Sequence, residues 1–244
     1  MSWRTTRVVL LLRNLGRYLG LNPILGMLLG RGGYEDRFQI AMLKAIRQGD
    51  VVWDVGANVG LYSKLFSNIA GFSGKVFAFE PSPVNLLRLN EAVTSLRNVT
   101  VLPVALGDRE DFVVFAQGDD QLGATSRIVD NAAAETASQL EVQLTRGDHL
   151  VSSGAVAIPN VIKIDTEGFE LDVLFGLRRT LLEKHLRIIC VEVHFRLLKE
   201  RGLSNAPSDI ENLLADSGFS IEWPDASHIV ATRIAEPPFV DARN

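Results

Sequence analysis

The sequence predicts an α/β protein organised on a parallel sheet, and three observations carry that prediction. From residue 51 onward, short apolar runs rich in β-branched residues alternate with stretches of helical spacing. The first run, Val51 to Val55, breaks at once into a glycine-rich turn that opens a helix. Length and composition suit one large domain with a small extension, since the chain has 244 residues, of which 47% are hydrophobic and 22% charged. Alternation of this kind implies right-handed βαβ units, whose parallel strands are covered on both faces.

The opening segment differs from the rest. Residues 1–33 contain five arginines (Arg4, Arg7, Arg13, Arg17 and Arg31) and no acid, with many Leu and Val. Val8 to Leu12 is too short to span a bilayer, and Asn22-Pro23 breaks the pattern again. No clear small-x-small cleavage site follows, which argues against a removed signal segment. Two readings stand: a helical cap packed on the domain, and an interfacial helix making peripheral contact with an anionic membrane surface. Phe38, Ile40, Met42, Leu43 and Ile46 then place a helix over Glu35 to Arg47, ended by Gln48-Gly49-Asp50. Residues 1–48 are thus expected as an N-terminal extension and 49–244 as the main domain.

The elements follow in order: the strand VVWDV, a helix from Gly60 to Ala70, the strand KVFAFE, a helix from Pro83 to about Leu96, and an extended NVTVLPVAL. Asp111 to Ala116 and Leu140 to Leu144 predict two extra strands around a polar insertion, 117–139, which reads equally as an active-site lid or a surface loop. NVIKID is the next strand, Gly168 to Glu183 the next helix, and LRIICVEV the strand after it. A helix from Pro207 to Gly218 and the strand pair FSIEW and HIVATRI close the domain.

Charge and cysteine content narrow the class. A net charge of −4 argues against a protein built around nucleic acid, which shows a basic face. The single cysteine, Cys190, lies in the apolar run IICVEV and excludes an internal disulfide framework, as expected of a cytoplasmic, reducing compartment.

Chemistry gathers where strands end. Asp54 closes the first strand, and Gly56, Ala57, Asn58, Val59 and Gly60 form a turn of small residues before a helix whose exposed N–H groups attract carboxylate or phosphate oxygens. The glycines stand as G-x-x-x-G, which departs from the G-x-G-x-x-G dinucleotide fingerprint. Glu80 ends the second strand at the same sheet edge. It reads either as a ribose-hydroxyl acceptor or as an acid at a helix start, and the upstream Asp54-x-Gly56 favours ribose. Asp108 reads as an adenine-side acceptor or as a turn residue. Lys163 and Asp165 alternate onto one side of their strand, as do Glu192 and His194 on theirs, so four ionisable groups converge at the ligand edge of the sheet. Such groups do not sit at the ends of apolar strands without partners or solvent.

The D-x-G-x-x-x-G stretch resembles the first motif of class I S-adenosylmethionine (AdoMet) methyltransferases. The ordered set DVGANVGLYS, FEPSP, ALGD, KIDTEGFE and VEVH is similar to the FkbM family of AdoMet-dependent O-methyltransferases, over roughly Asp50 to His194. The resemblance implies a doubly wound, Rossmann-like seven-stranded sheet, mostly parallel with an antiparallel last strand, and methyl transfer to a hydroxyl. Carried over residue by residue, Asp54, Gly56, Asn58 and Gly60 match the first cofactor motif, Glu80 the ribose acid and Asp108 the adenine side. Asp165, Glu167, Glu192 and His194 fall on the acceptor side, with His194 or Asp165 as the base. The acceptor class is a small molecule or glycan: a saccharide, glycolipid or polyketide-like metabolite. The same four residues offer donors to a hard divalent cation, but no ligand-spacing signature is present and no metal ligand is assigned. Two rivals remain, an NAD-dependent oxidoreductase and a non-catalytic nucleoside-binding module.

Overall fold

A computed structural model of the chain describes residues 34–116, 127–128 and 139–235. The expectations for residues 1–33 lie outside the described residues, as do most of those for the 117–139 insertion. Among the described residues, no helix is long and apolar enough to cross a membrane.

The helix expected before the first strand is α1, Tyr34–Ala45. The chain then runs β1 (Val51–Val55), α2 (Leu61–Ala70), β2 (Lys75–Phe79), α3 (Pro83–Val93) and β3 (Val99–Leu102). It continues through β4 (Ala105–Leu106), β5 (Asp111–Ala116), β6 (Arg127–Ile128), β7 (Gln139–Thr145) and α4 (Gly147–Ser152). The second half holds β8 (Val161–Ile164), α5 (Glu170–Phe175), a 3-10 turn (Thr180–Leu182), β9 (Ile188–Glu192) and α6 (Phe195–Glu200). It closes with α7 (Ala206–Asp216), β10 (Phe219–Glu222) and β11 (His228–Arg233).

Seven strands form one sheet in the order β10-β11-β9-β8-β1-β2-β3. Strands β1, β2, β3, β8 and β9 pair in parallel, whereas β11 runs antiparallel to both β9 and β10. This is the doubly wound, mostly parallel sheet with an antiparallel last strand that the resemblance implied. Even-numbered side chains of β1 and β2 face one way: Val52 and Val76 pack with Phe38, Met42 and Ile46 of the α1 segment and Phe66 of α2. Odd-numbered Trp53, Val55, Phe77 and Phe79 face the other way, against Leu171, Leu174, Ile210 and Leu214 of α5 and α7. Two covered faces explain why the strands read as continuous apolar runs.

The chain steps from β1 outward to β3, then returns to β8 and steps outward on the other side. Strand order therefore reverses between β1 and β8, and the crevice beyond their C-terminal ends is where ligands of such sheets bind.

Two expectations need correction. Residues 168–183 do not form one helix: α5 ends at Phe175, and a 3-10 turn follows. Gly176 stands at the end of α5, where the absence of a side chain lets the chain pack on the Gly107 carbonyl, a Cβ at that position falling 1.9 Å from its oxygen. NVTVLPVAL splits at Pro103 into β3 and β4, and β4 leaves the main sheet to pair with β7. The two extra strands are present as expected: they pair antiparallel with each other and, with β4 and β6, make a separate four-stranded sheet.

Candidate active site

The site begins at the end of β1. Gly56 takes φ +76°, and a Cβ there would lie 1.9 Å from the carbonyl oxygen of Asp165, so the loops after β1 and β8 meet backbone to backbone. Asn58 also has positive φ, at 50°. The helix α2 starts from Gly60 with no side chain capping it, which leaves its first-turn N–H groups available to an anionic group.

Glu80 faces this turn from the end of β2. Its side chain is buried, accepting hydrogen bonds from Asn58 N at 2.8 Å and from Ser82 N at 2.9 Å, with Asn85 Nδ2 at 3.4 Å. Burial pushes its carboxyl above the ordinary range, and the backbone donors pull against that. Glu80 thus fixes the shape of the glycine turn while keeping acceptor capacity at its rim.

Asp54 plays a different part from its neighbours in the motif. It is wholly buried, accepts Ser63 Oγ at 2.6 Å and stands 3.3 Å from Lys163 Nζ. Lys163 also donates to the Gly56 carbonyl at 2.9 Å and lies 3.3 Å from Asp165. Burial opposes its ammonium, yet Asp165 and Asp54 outweigh it and hold Lys163 above the ordinary lysine range. Asp54 therefore supports the glycine turn from behind, through Lys163. Asp108 is an exposed residue after β4, paired with Arg109 at 3.1 Å.

The expected convergence of Lys163, Asp165, Glu192 and His194 is present, and Glu167 joins it. His194 Nε2 is 3.3 Å from Glu167, 3.8 Å from Asp165 and 3.9 Å from Glu192. Glu167 has φ +51°, unusual for a residue with a side chain, and the bend carries its carboxylate back toward His194. Arg201 pins this loop, donating to the Gly168 carbonyl, pairing with Asp172 at 2.7 Å and stacking 3.6 Å over the Phe169 ring. Burial pushes the Glu167 carboxyl up to about 7, against the pull of His194. Burial works against the His194 imidazolium, but Glu170 and the facing carboxylates prevail and raise it to about 9.

Three participants escaped the motif reading. Glu170 is wholly buried and holds His194 Nδ1 at 2.8 Å; it lies inside KIDTEGFE but reads there as a helix-start acid. His228, from β11, approaches Glu192 at 3.5 Å and Asp225 at 2.8 Å, and stacks on Phe38 with ring centroids 4.1 Å apart. Tyr62 lies beneath Lys163, whose ammonium is 5.4 Å from the ring centroid. Burial pushes its hydroxyl to about 12, so it is a neutral donor at physiological pH. A surface cavity lined by Gly71, Phe72, Lys75, Arg97 and Asn98 opens beside the loops that precede β2 and β3, at the opposite edge of the sheet.

Comparison with known proteins identifies the family. The model of the methyltransferase FkbM domain matches residues 54–221, well over half of the chain. The hexuronic acid methyltransferase AglP of Haloferax volcanii is 33% identical over 192 residues, covering 78% of this chain and 71% of that protein. The 31-O-demethyl-FK506 methyltransferase FkbM of Streptomyces tacrolimicus is 26% identical over 215 residues, covering 77% and 79%. A crystal structure of methyltransferase FkbM from Methylobacillus flagellatus KT has a TM-score of 0.53 at 18% identity, and supports the fold. It covers 75% of this chain, which in turn spans less than half, 43%, of that structure. The chain belongs to the FkbM family of methyltransferases, whose cofactor is S-adenosylmethionine.

Proposed function

We propose that this protein transfers the methyl group of AdoMet to a hydroxyl of a saccharide, glycolipid or polyketide-like metabolite. The observation that carries the reading is the contact between the two loops. The glycine turn, which suits the cofactor, and the Asp165–His194 cluster, which suits an acceptor, adjoin at Gly56 and Asp165. The residues present fit AdoMet: small side chains along the turn, an uncapped helix start for a carboxylate, and the Glu80 carboxylate for ribose hydroxyls.

When bound, the cofactor supplies an electrophilic methyl on a sulfonium. The chain's own work is to hold the acceptor oxygen in line with it and to take the oxygen's proton. Asp165 and His194 are the candidates for the proton, His194 only in its neutral form, which its carboxylate neighbours oppose below about pH 9; general-base action of this kind contributes about 10² to 10⁴ in rate. Glu170 holds the imidazole and Glu192, braced by His228, flanks it. Three carboxylates facing the acceptor space disfavour an anionic reacting group, so a neutral hydroxyl suits this site better than a free carboxylate.

The relatives supply the acceptors by name, one a hexuronic acid and one 31-O-demethyl-FK506. Radiolabelled AdoMet incubated with the protein and panels of neutral sugars, uronic acids and demethylated polyketides tests the reading. Incorporated label is expected to resist mild alkali, as an ether does; alkali-labile label would identify a carboxyl ester and overturn the hydroxyl.

A further inference from the structure

We propose that Asp165, Glu167 and His194 form a binding site for a divalent cation of the Mg²⁺ and Mn²⁺ class on the acceptor side of the glycine turn. Asp165 and Glu167 come from the loop after β8, and His194 precedes α6. One ligand atom of each lies within 4.8 Å of the other two. From His194 Nε2 the separations are 3.3 Å to Glu167 Oε2 and 3.8 Å to Asp165 Oδ1. Neighbouring ligands of an octahedral ion with bonds of about 2.1 Å stand about 3 Å apart, so side-chain movements of roughly 1 Å bring this set to coordination distance.

The donors select the ion. Carboxylates with one imidazole suit Mg²⁺ or Mn²⁺, whereas soft ions favour thiolate, and the single cysteine is buried in the core. All three side chains retain solvent access, at 26%, 38% and 17% exposure, which leaves an entry path and open coordination positions.

A feature outside the donor set points the same way. Glu170 is wholly buried behind the imidazole, with Oε1 2.8 Å from His194 Nδ1, and it also accepts Gly168 N at 2.8 Å. A carboxylate in that position holds Nδ1–H inward and leaves Nε2 facing the two carboxylates, where an arriving cation displaces its proton, as behind metal-bound histidines. Its second oxygen, Oε2, is buried with no hydrogen-bond partner among the described residues, so a desolvated negative charge backs the ring. Lys163 is shared between Asp54 and Asp165. Four carboxyl groups, Asp165, Glu167, Glu170 and Glu192, thus surround His194 itself, and a divalent ion that replaces the imidazolium proton keeps them neutralised. The presence of the ion is independent of the reaction. Its role rests on the methyl-transfer reading, in which an acceptor hydroxyl occupying an open position is acidified.

The test uses full-length protein stripped with EDTA and titrated with MnCl₂, with free Mn²⁺ followed by electron paramagnetic resonance. One Mn²⁺ per chain is expected. Glu167→Gln and His194→Gln should each weaken it at least about tenfold, while Glu91→Gln, an exposed acid on α3, leaves it unchanged. Spin-echo spectra of the wild-type complex read the ligands without any variant, and nitrogen coupling from one imidazole is expected. No stoichiometric binding, binding unaffected by both variants, or bound Mn²⁺ without nitrogen coupling would overturn the site. Methyl transfer is assayed separately: a protein that binds Mn²⁺ here and transfers no methyl group keeps the site and loses the proposed function.

Discussion

Lys163 is the residue at which the two halves of the site meet. Its buried ammonium touches the Gly56 carbonyl, Asp54 and Asp165 at once. A methionine there keeps the apolar stem but leaves the Asp54 carboxylate buried without a cation. Removing one partner of such a pair costs about 3–5 kcal/mol, far more than the pair contributes against an apolar replacement. Lys163→Met is therefore expected to lower unfolding free energy by about that amount in urea denaturation, and adding Asp54→Asn should recover a large share of it. A loss under about 1 kcal/mol, typical of a solvated surface pair, would show that Lys163 does not neutralise Asp54. Asp54 is legible in the sequence as a site residue from its spacing to the glycines. Lys163 is legible too, as an ionisable group near a strand end, but its pairing with Asp54 is not, because the register that sets the two side by side depends on β8 lying next to β1, a choice of strand order that no local pattern encodes.

At the scale of elements, the strand-turn-helix unit from β1 to α2 is the most legible part of the fold, since glycine placement and apolar runs are local signals. The helix expected over 168–183 shows the opposite case. Its apolar spacing is real, and Leu171, Leu174, Leu177 and Leu181 are all in the core, but α5 ends at Phe175 beside Gly176, which packs on the Gly107 carbonyl, a long-range contact that local spacing does not encode. The acceptor cluster is legible as strand-end acids and a histidine. Glu170 and His228 are not, because one reads as a helix-start acid and the other arrives from a strand that crosses back antiparallel. The glycine turn gives a controlled test. Gly56 and Gly154 have φ of +76° and +74°, yet a Cβ at 154 meets nothing within 4 Å while one at 56 strikes the Asp165 carbonyl. Alanine at 154 should cost about 1–2 kcal/mol, the penalty of the left-handed region alone. Alanine at 56 should cost more than that and should weaken AdoMet binding, because the two loops must separate. Denaturation curves and calorimetric titration of both variants check this, and equal losses would mean that the loops yield freely.

For the whole molecule, the crevice between β1 and β8 is the boundary between the two βαβ halves of the sheet. A ligand held there contacts the glycine turn of one half and adjoins the Asp165 loop of the other, so its binding energy opposes separation of the halves and appears in global unfolding. Ligand at 100 times its dissociation constant stabilises a protein that binds it only when folded by about 2.7 kcal/mol. In a domain of this size each kcal/mol moves the melting temperature by about 2–4 °C, so AdoMet at that ratio should raise it by about 5–11 °C. NAD at the same concentration is expected to leave it unchanged. The turn lacks the glycine that a dinucleotide fingerprint places two residues after its first, and Asn58, with positive φ and its N–H committed to Glu80, stands there instead. Thermal denaturation with each cofactor separates the two readings. A shift with NAD as large as that with AdoMet would reopen the oxidoreductase, whereas a shift with AdoMet that Glu80→Gln reduces would place the ribose hydroxyls on that carboxylate.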